Sequence, residues 1–257
     1  MNRIDELFRN KKHQILSVYF TAGYPNLNDT IPIISALAKN GVDMIEIGIP
    51  FSDPMADGPV IQQSSNHALK NGMNLHLLFE QLREVRSITN IPLLLMGYLN
   101  PVMQFGMDNF LEQCSLVGID GVILPDLPLQ EYCEEYKARF EQHEIYNIFL
   151  ISPHTATDRI QQIDEVSRGF VYTVSSSGTT GAKLSIEQNQ EKYFERIAAM
   201  KLHNPTVIGF GISNKATFDK ACQHAAGAII GSAFIKALSN ATDIEQTICD
   251  FIKPITQ

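Results

Sequence analysis

The chain has no run of Lys or Arg, no apolar stretch near the roughly 18 residues of a membrane span, and no CxxC pair. Each lack excludes something. Without basic clusters, and with a net charge of −8, nucleic acid and anionic membranes are poor partners. Without an apolar signal core in Met1–Phe8, which reads as a short amphipathic helix, the chain is expected in the cytoplasm. Cys114, Cys133, Cys222 and Cys249 are scattered and read as buried free thiols rather than disulfides or a metal site. No linker or low-complexity segment divides the 257 residues, so one domain over 1–257 is expected.

What is present is an alternation of short β-branched runs with helical patterns, the signature of parallel βαβ units. Eight strands are predicted: Ile15–Phe20, Val42–Ile47, Pro92–Tyr98, Gly121–Leu124, Ile145–Ile151, Gly169–Val174, Thr206–Phe210 and Gly227–Ile230. Helices are predicted over Asp29–Asn40, Leu75–Ser87, Asp108–Leu116, Leu129–Gln142, Ser185–Met200 and Lys215–His224. Gly41, Gly72 and Gly118 stand where helices should stop; Asp29 and Asp108 stand where they can start. The expected fold class is α/β, a (β/α)8 TIM barrel with an extra N-terminal helix; an open doubly wound sheet is the alternative. Two segments exceed simple connections, Gly48–Gly72 and Ser175–Leu184. In a barrel the loops after strands share one face, where active sites lie.

Two carboxylates stand out. In Val42-Asp43-Met44-Ile45-Glu46-Ile47, strand alternation puts Glu46 on the face opposite Ile45 and Ile47. If those isoleucines pack on helices, Glu46 points into the barrel, where a carboxylate needs a partner or a task. Asp57 follows in Pro50-Phe51-Ser52-Asp53-Pro54-Met55-Ala56-Asp57-Gly58-Pro59; Asp before Gly is also a common turn residue. Asp53 reads as structural, and Asp126, at the end of the fourth strand, as support for the site.

Three glycine-bearing elements follow the last three strands: Ser177-Gly178-Thr179-Thr180-Gly181, Gly209-Phe210-Gly211-Ile212-Ser213 and Gly231-Ser232-Ala233. Glycine lets backbone approach an anion, and a short helix from Ser232 would offer free N–H groups. The expectation is a phosphate held by main-chain amides, in keeping with the missing basic clusters.

Other chemistries lack their residues. No predicted strand carries the lysine of a Schiff-base aldolase. The seven histidines are dispersed; His154 alone falls just after a strand and reads as a loop residue, so no metal is expected. Neither a GxSxG elbow nor a dinucleotide fingerprint occurs. Acid–base chemistry by carboxylates on a phosphorylated substrate remains.

The segment Glu46–Pro59 resembles the signature of the tryptophan synthase α chain family. So do Phe20-Thr21-Ala22-Gly23-Tyr24-Pro25, Met96-Gly97-Tyr98-Leu99-Asn100-Pro101, Pro125-Asp126-Leu127-Pro128 and the three glycine elements. The resemblance implies a lyase of tryptophan biosynthesis that splits indole-3-glycerol phosphate into indole and D-glyceraldehyde 3-phosphate. Glu46 matches the family's acid–base glutamate and Asp57 its indole-nitrogen-binding aspartate. Tyr19, Tyr98, Tyr172 and Phe210 match residues around the substrate, to which Asp126 is added. Thr180 and Gly181 match a mobile loop, and Gly181, Gly211, Gly231 and Ser232 match phosphate contacts. Tyr19 stands where the family often has Phe, and His154 is not expected there.

The resemblance also implies a partner, the tryptophan synthase β chain in an α2β2 heterotetramer. That chain carries pyridoxal phosphate; this one needs no cofactor. The apolar segment Leu99-Asn100-Pro101-Val102-Met103-Gln104-Phe105-Gly106 is the candidate contact surface, unless its side chains tuck under the loop. Alternatives are a free-standing lyase, a silent regulatory subunit and a sugar-phosphate epimerase or isomerase.

Overall fold

Short aliphatic runs form a parallel sheet in the computed structural model, which describes residues 1–174, 183–209 and 211–256, with 183–189 by backbone alone. Its strands are β1 (Ile15–Thr21), β2 (Met44–Gly48), β3 (Leu93–Met96), β4 (Gly121–Ile123) and β5 (Tyr146–Asn147). They continue with β6 (Leu150–Ile151), β7 (Val171–Val174), β8 (Thr206–Gly209) and β9 (Gly227–Ile230). The order is β5-β4-β3-β2-β1-β9-β8-β7-β6. The two edges, β5 and β6, are halves of the one strand expected over Ile145–Ile151, separated by Ile148 and Phe149. Ile148 N–H donates to Val122 C=O at 2.9 Å, and Tyr172 N–H to Phe149 C=O at 2.9 Å. The fifth strand therefore joins both edges and closes the sheet, so the expected eight-unit barrel replaces the open alternative.

Register fixes which residues face inward. Ser17 pairs Met44 and Tyr19 pairs Glu46 across β1 and β2; Ile229 pairs Ser17 across β9 and β1. The alternate residues Val18, Phe20, Ile45, Ile47, Leu93 and Leu95 face outward and are fully buried under helices. This outer layer is the main core, as usual for a parallel sheet covered by helices.

The N-terminal end is sealed. The helix Arg3–Asn10 is capped by Asn2, whose side chain accepts the Ile4 N–H at 2.9 Å. Asn2 also donates to Asp120 C=O at 2.8 Å, docking the helix on the barrel. Ile4 is fully buried, and a Cβ on Gly169 would come within 2.8 Å of it. Asp120 accepts from Arg3 at 2.9 Å and Arg86 at 2.6 Å. This end reads as stability; the other is left for chemistry.

Several boundaries differ from expectation. The segment Gly48–Gly72 is not all loop, because Pro59–Lys70 is a helix with Pro at its first turn. The Leu75–Ser87 prediction splits at Arg83 into Leu75–Leu82 and Val85–Ile88, and Leu129–Gln142 contains a π turn over Tyr132–Tyr136. Helices over Thr157–Val166 and Ile244–Thr256 were not predicted. Gly41, Gly72 and Gly118 do take positive φ at helix ends. Asp29 makes no side-chain cap and instead accepts from Asn26, while Asp108 lies inside its helix, which starts at Met107. Of the cysteines only Cys114 is buried; Cys133 is exposed, and all four are free.

The apolar segment after β3 is a helix, Leu99–Phe105. Val102 is buried and Phe105 packs against His76 and Phe79, so of the three apolar side chains only Met103 stays exposed, at 48%. That corrects the broad apolar surface expected there. Among the described residues, no helix is long and apolar enough to cross a membrane.

Candidate active site

Parallel strands deliver their C-terminal ends to one mouth, and a cavity of about 810 Å³ opens there. Its lining includes Tyr19 from β1, Asp57, Tyr172 from β7, Gly211, and Gly231 with Ser232 after β9. Residues from five separated stretches of sequence thus meet. Thr180, Gly181 and Phe210 lie outside the described residues, as does most of the segment Ser175–Leu184.

Glu46 sits on the inward face of β2 with no exposed surface. Oε1 accepts the Ser17 hydroxyl at 2.9 Å; Oε2 has no partner among the described residues. Burial outweighs that hydrogen bond and pushes the carboxyl up to about 8. Glu46 does not line the cavity itself. Tyr19 and Tyr172, which do, lie close enough that its charge joins burial in raising their hydroxyls well above the usual phenol range.

Asp57 is placed by local turns. Its N–H donates to Pro54 C=O at 3.0 Å, and Gln62, in the first turn of the helix Pro59–Lys70, donates to Asp57 C=O at 2.9 Å. Its Oδ2 accepts the Tyr98 hydroxyl at 3.0 Å. Burial raises this carboxyl and the tyrosine pulls it back. Turn residue and site residue are therefore one and the same here. Asp53 is exposed and accepts from its neighbour Ser52, the structural reading given to it.

Two glycines make the aromatic walls possible. A Cβ on Gly48 would overlap the Tyr19 hydroxyl, and one on Gly209 would overlap the Tyr172 hydroxyl. Each ring lies across the neighbouring strand where that strand has no side chain. Ser232 begins the helix Ser232–Leu238, as expected, and Gly211 takes φ +78°.

Asp126 is exposed and outside the cavity lining. Both its oxygens accept the Leu99 N–H, at 2.9 and 3.0 Å, tying down the start of the helix Leu99–Phe105. Tyr98 lies in a side crevice with Tyr19 and Asp57. His154 is an exposed loop residue. Among the described residues no group of three or more His, Cys, Asp or Glu is arranged to hold a metal.

Sequence reasoning missed Ser17 and Lys236. Ser17 was visible as the one hydroxyl in the apolar run Ile15-Leu16-Ser17-Val18, on the inward face shared with Tyr19. Lys236 lines the cavity one helical turn beyond Ser232, a spacing that places both on one side of a helix.

The sequence model of one family, described as tryptophan synthase alpha chain, matches residues 6–254. The chain belongs to the tryptophan synthase alpha chain family. It is 57% identical to the tryptophan synthase alpha chain of Flavobacterium psychrophilum, over 93% of this chain and 94% of that one. The Parabacteroides distasonis alpha chain is 56% identical over 95% and 96%. Among solved structures, a tryptophan synthase alpha chain from Legionella pneumophila superposes with a TM-score of 0.88 at 32% identity, over 99% and 96% of the two chains. A Mycobacterium tuberculosis tryptophan synthase chain gives 0.86 at 29%, over 99% and 98%. The activity follows the family: the chain is a lyase of tryptophan biosynthesis.

Proposed function

We propose that this chain cleaves indole-3-glycerol phosphate to indole and D-glyceraldehyde 3-phosphate, with Glu46 as the acid–base group and Asp57 as the carboxylate that receives the indole N–H. The observation that carries this reading is two acids in unlike surroundings beside one cavity, Asp57 on its lining and Glu46 buried next to the lining residues Tyr19 and Tyr172. Glu46 is fully buried and keeps its proton up to a pH near 8; Asp57 is half-buried and steadied by Tyr98. Unlike environments let one carboxyl serve as acid while the other stays ionised.

The reaction needs a proton on indole C3 before the bond to the glycerol chain can break. Glu46 supplies it, and Asp57 takes the indole N–H hydrogen bond as positive charge grows on nitrogen. Glu46, now a carboxylate, removes the proton of the 3′-hydroxyl as its carbon becomes the aldehyde. One proton enters and one leaves, and the enzyme returns to its starting state. Such transfers contribute about 10²- to 10⁴-fold each. Glu46 has no surface on the cavity, so these steps need its unpartnered Oε2 to come within reach of the substrate while Oε1 stays on Ser17.

Tyr19 and Tyr172 flank the indole and glycerol, with Tyr98 and Asp126 bracing the walls; Thr180, Phe210 and Gly181 complete the site. Gly211, Gly231 and Ser232 hold the phosphate through main-chain amides. The cavity volume suits a substrate of this size. These proton transfers call for no cofactor on this chain. The chain works in the cytoplasm as the α subunit of an α2β2 assembly, whose β chain carries pyridoxal phosphate and consumes the indole. The family's membership favours this over a free-standing lyase.

The test is indole release from indole-3-glycerol phosphate, with and without a β chain, by wild type, Glu46→Gln and Asp57→Asn. Glu46→Gln should lose turnover while binding substrate, and Asp57→Asn should be severely slowed with its circular dichroism intact. Near-normal activity in Glu46→Gln would end the assignment.

A further inference from the structure

Glu46 enters the fold with its two oxygens in different situations. Both are buried, but Oε1 accepts the Ser17 hydroxyl at 2.9 Å while Oε2 meets no donor or acceptor among the described residues. Ser17 is itself fully buried, on the inward face of β1, one step nearer the sealed end than Tyr19, the strand partner of Glu46. Its hydroxyl has one proton to give, and gives it to Oε1.

From this asymmetry we infer that Ser17 is a positioning residue, which fixes the Glu46 carboxyl so that its exchangeable proton resides on Oε2. A neutral carboxyl has one carbonyl oxygen and one hydroxyl. The carbonyl oxygen is the better acceptor, so the Ser17 donor selects Oε1 for that role and leaves the O–H on Oε2. Oε2 is then the oxygen whose proton is free to move to a substrate carbon, with no protein hydrogen bond to break first. After transfer the negative charge is shared with Oε1, where Ser17 stabilises it by a charge-assisted bond. The residue thus assists the conjugate base while leaving the acid's proton loose.

The surroundings make this one contact count. Among the described residues, the titratable groups that feel the charge of Glu46 are Tyr19 on β1 and Tyr172 on β7; Asp57, in the segment after β2, acts on the same two rings, with Tyr98 beyond it. Both tyrosines are held neutral by burial, and Asp57 is an acid, so none of them supplies positive charge. Among the described residues, Ser17 is the one group whose contact opposes the effect of burial on Glu46.

The inference rests on Glu46 being the acid–base group, and the experiment separates the two. Ser17→Ala, Ser17→Thr and Ser17→Cys are compared with Glu46→Gln in the assembly with the β chain, recording kcat and KM for indole release against pH. Ser17→Ala should lower kcat about tenfold, the value of one hydrogen bond to a charged group, with KM nearly unchanged. The limb of the pH profile that reports Glu46 should move upward by about one unit. Ser17→Thr should restore both rate and profile, and Ser17→Cys, with the same shape and a weaker donor, should fall between. A merely structural serine would change unfolding midpoint without moving the pH limb. A Ser17→Ala profile superimposable on wild type, while Glu46→Gln is inactive, overturns the role of Ser17 and leaves that of Glu46 standing. Activity in Glu46→Gln overturns the parent reading instead. Infrared spectra give a second readout that does not depend on turnover. The carbonyl band of protonated Glu46 should rise in frequency in Ser17→Ala, and an unmoved band counts against the contact.

Discussion

Tyr98 and Asp57 form a clasp at the barrel mouth: the tyrosine hydroxyl donates to Oδ2 at 3.0 Å and accepts the Ala56 N–H at 3.0 Å. One side chain thereby fixes both the acid and the backbone preceding it. Tyr98→Phe removes both bonds at once. A hydrogen bond to a charged group contributes about 1.5–3 kcal/mol, so kcat should fall roughly ten- to a hundredfold. The same bond holds the Asp57 carboxyl down against burial, so its loss raises that carboxyl further. Activity should then fade at a higher pH on the acid side than in wild type, which a kcat profile would register.

Lys236 is a cation lining the cavity in which main-chain amides are proposed to hold the substrate phosphate. It is exposed, so its attraction to a substrate phosphate is screened and modest. Lys236→Ala should raise KM about two- to fivefold, equivalent to roughly 0.5–1 kcal/mol, with kcat near wild type. Added salt should narrow the gap between the two proteins. An equal KM at low salt would show that the amides suffice.

How far the sequence revealed this site depended on how local each signal was. Glu46 was legible because strand alternation is local: Ile45 and Ile47 declare the outward face and leave the carboxylate inside. The closed barrel was legible from alternation of elements, but the break of the fifth strand at Ile148 and Phe149 was not, since it depends on pairing to two different neighbours. The helix Pro59–Lys70 was hidden by its polar composition and by the turn residues preceding it. Asp126 reads from the sequence as support for the site because it ends a strand; the contact its two oxygens make with the Leu99 N–H, 27 residues away in sequence, has no local signal. Ser17 matters only through a neighbour 29 residues further on, which no local pattern encodes.

Gly48 and Tyr19 test the packing of the mouth. Gly48→Ala places a methyl where the Tyr19 hydroxyl lies, so the ring must leave its position against β2. Overpacking of this kind costs about 1–3 kcal/mol of stability, and the displaced ring should lower kcat as well. Adding Tyr19→Phe should recover only part of the loss, because a ring carbon also falls within 2.6 Å of the new methyl. Urea midpoints and indole release of the single and double variants would measure both effects.

Burial of Glu46 also makes folding sensitive to pH, with a sign that can be worked out. The carboxyl rises from 4.5 in the unfolded chain to about 8 in the fold, so between these values the native state holds a proton that the unfolded state has lost. Stability is highest below the lower value and falls as pH rises through the window, by about 1.4 kcal/mol per unit. Half-buried Asp57 acts in the same direction. Glu46→Gln removes the titration of the larger contributor. Relative to its own stability at pH 5, the variant should therefore lose roughly 3–4 kcal/mol less than wild type on going to pH 8. Comparing the two slopes, rather than the two stabilities at one pH, cancels any difference in how the amide and the acid pack against Ser17. Urea unfolding at several pH values gives the slopes, and parallel lines for the two proteins would mean that Glu46 titrates in the fold much as it does in the open chain.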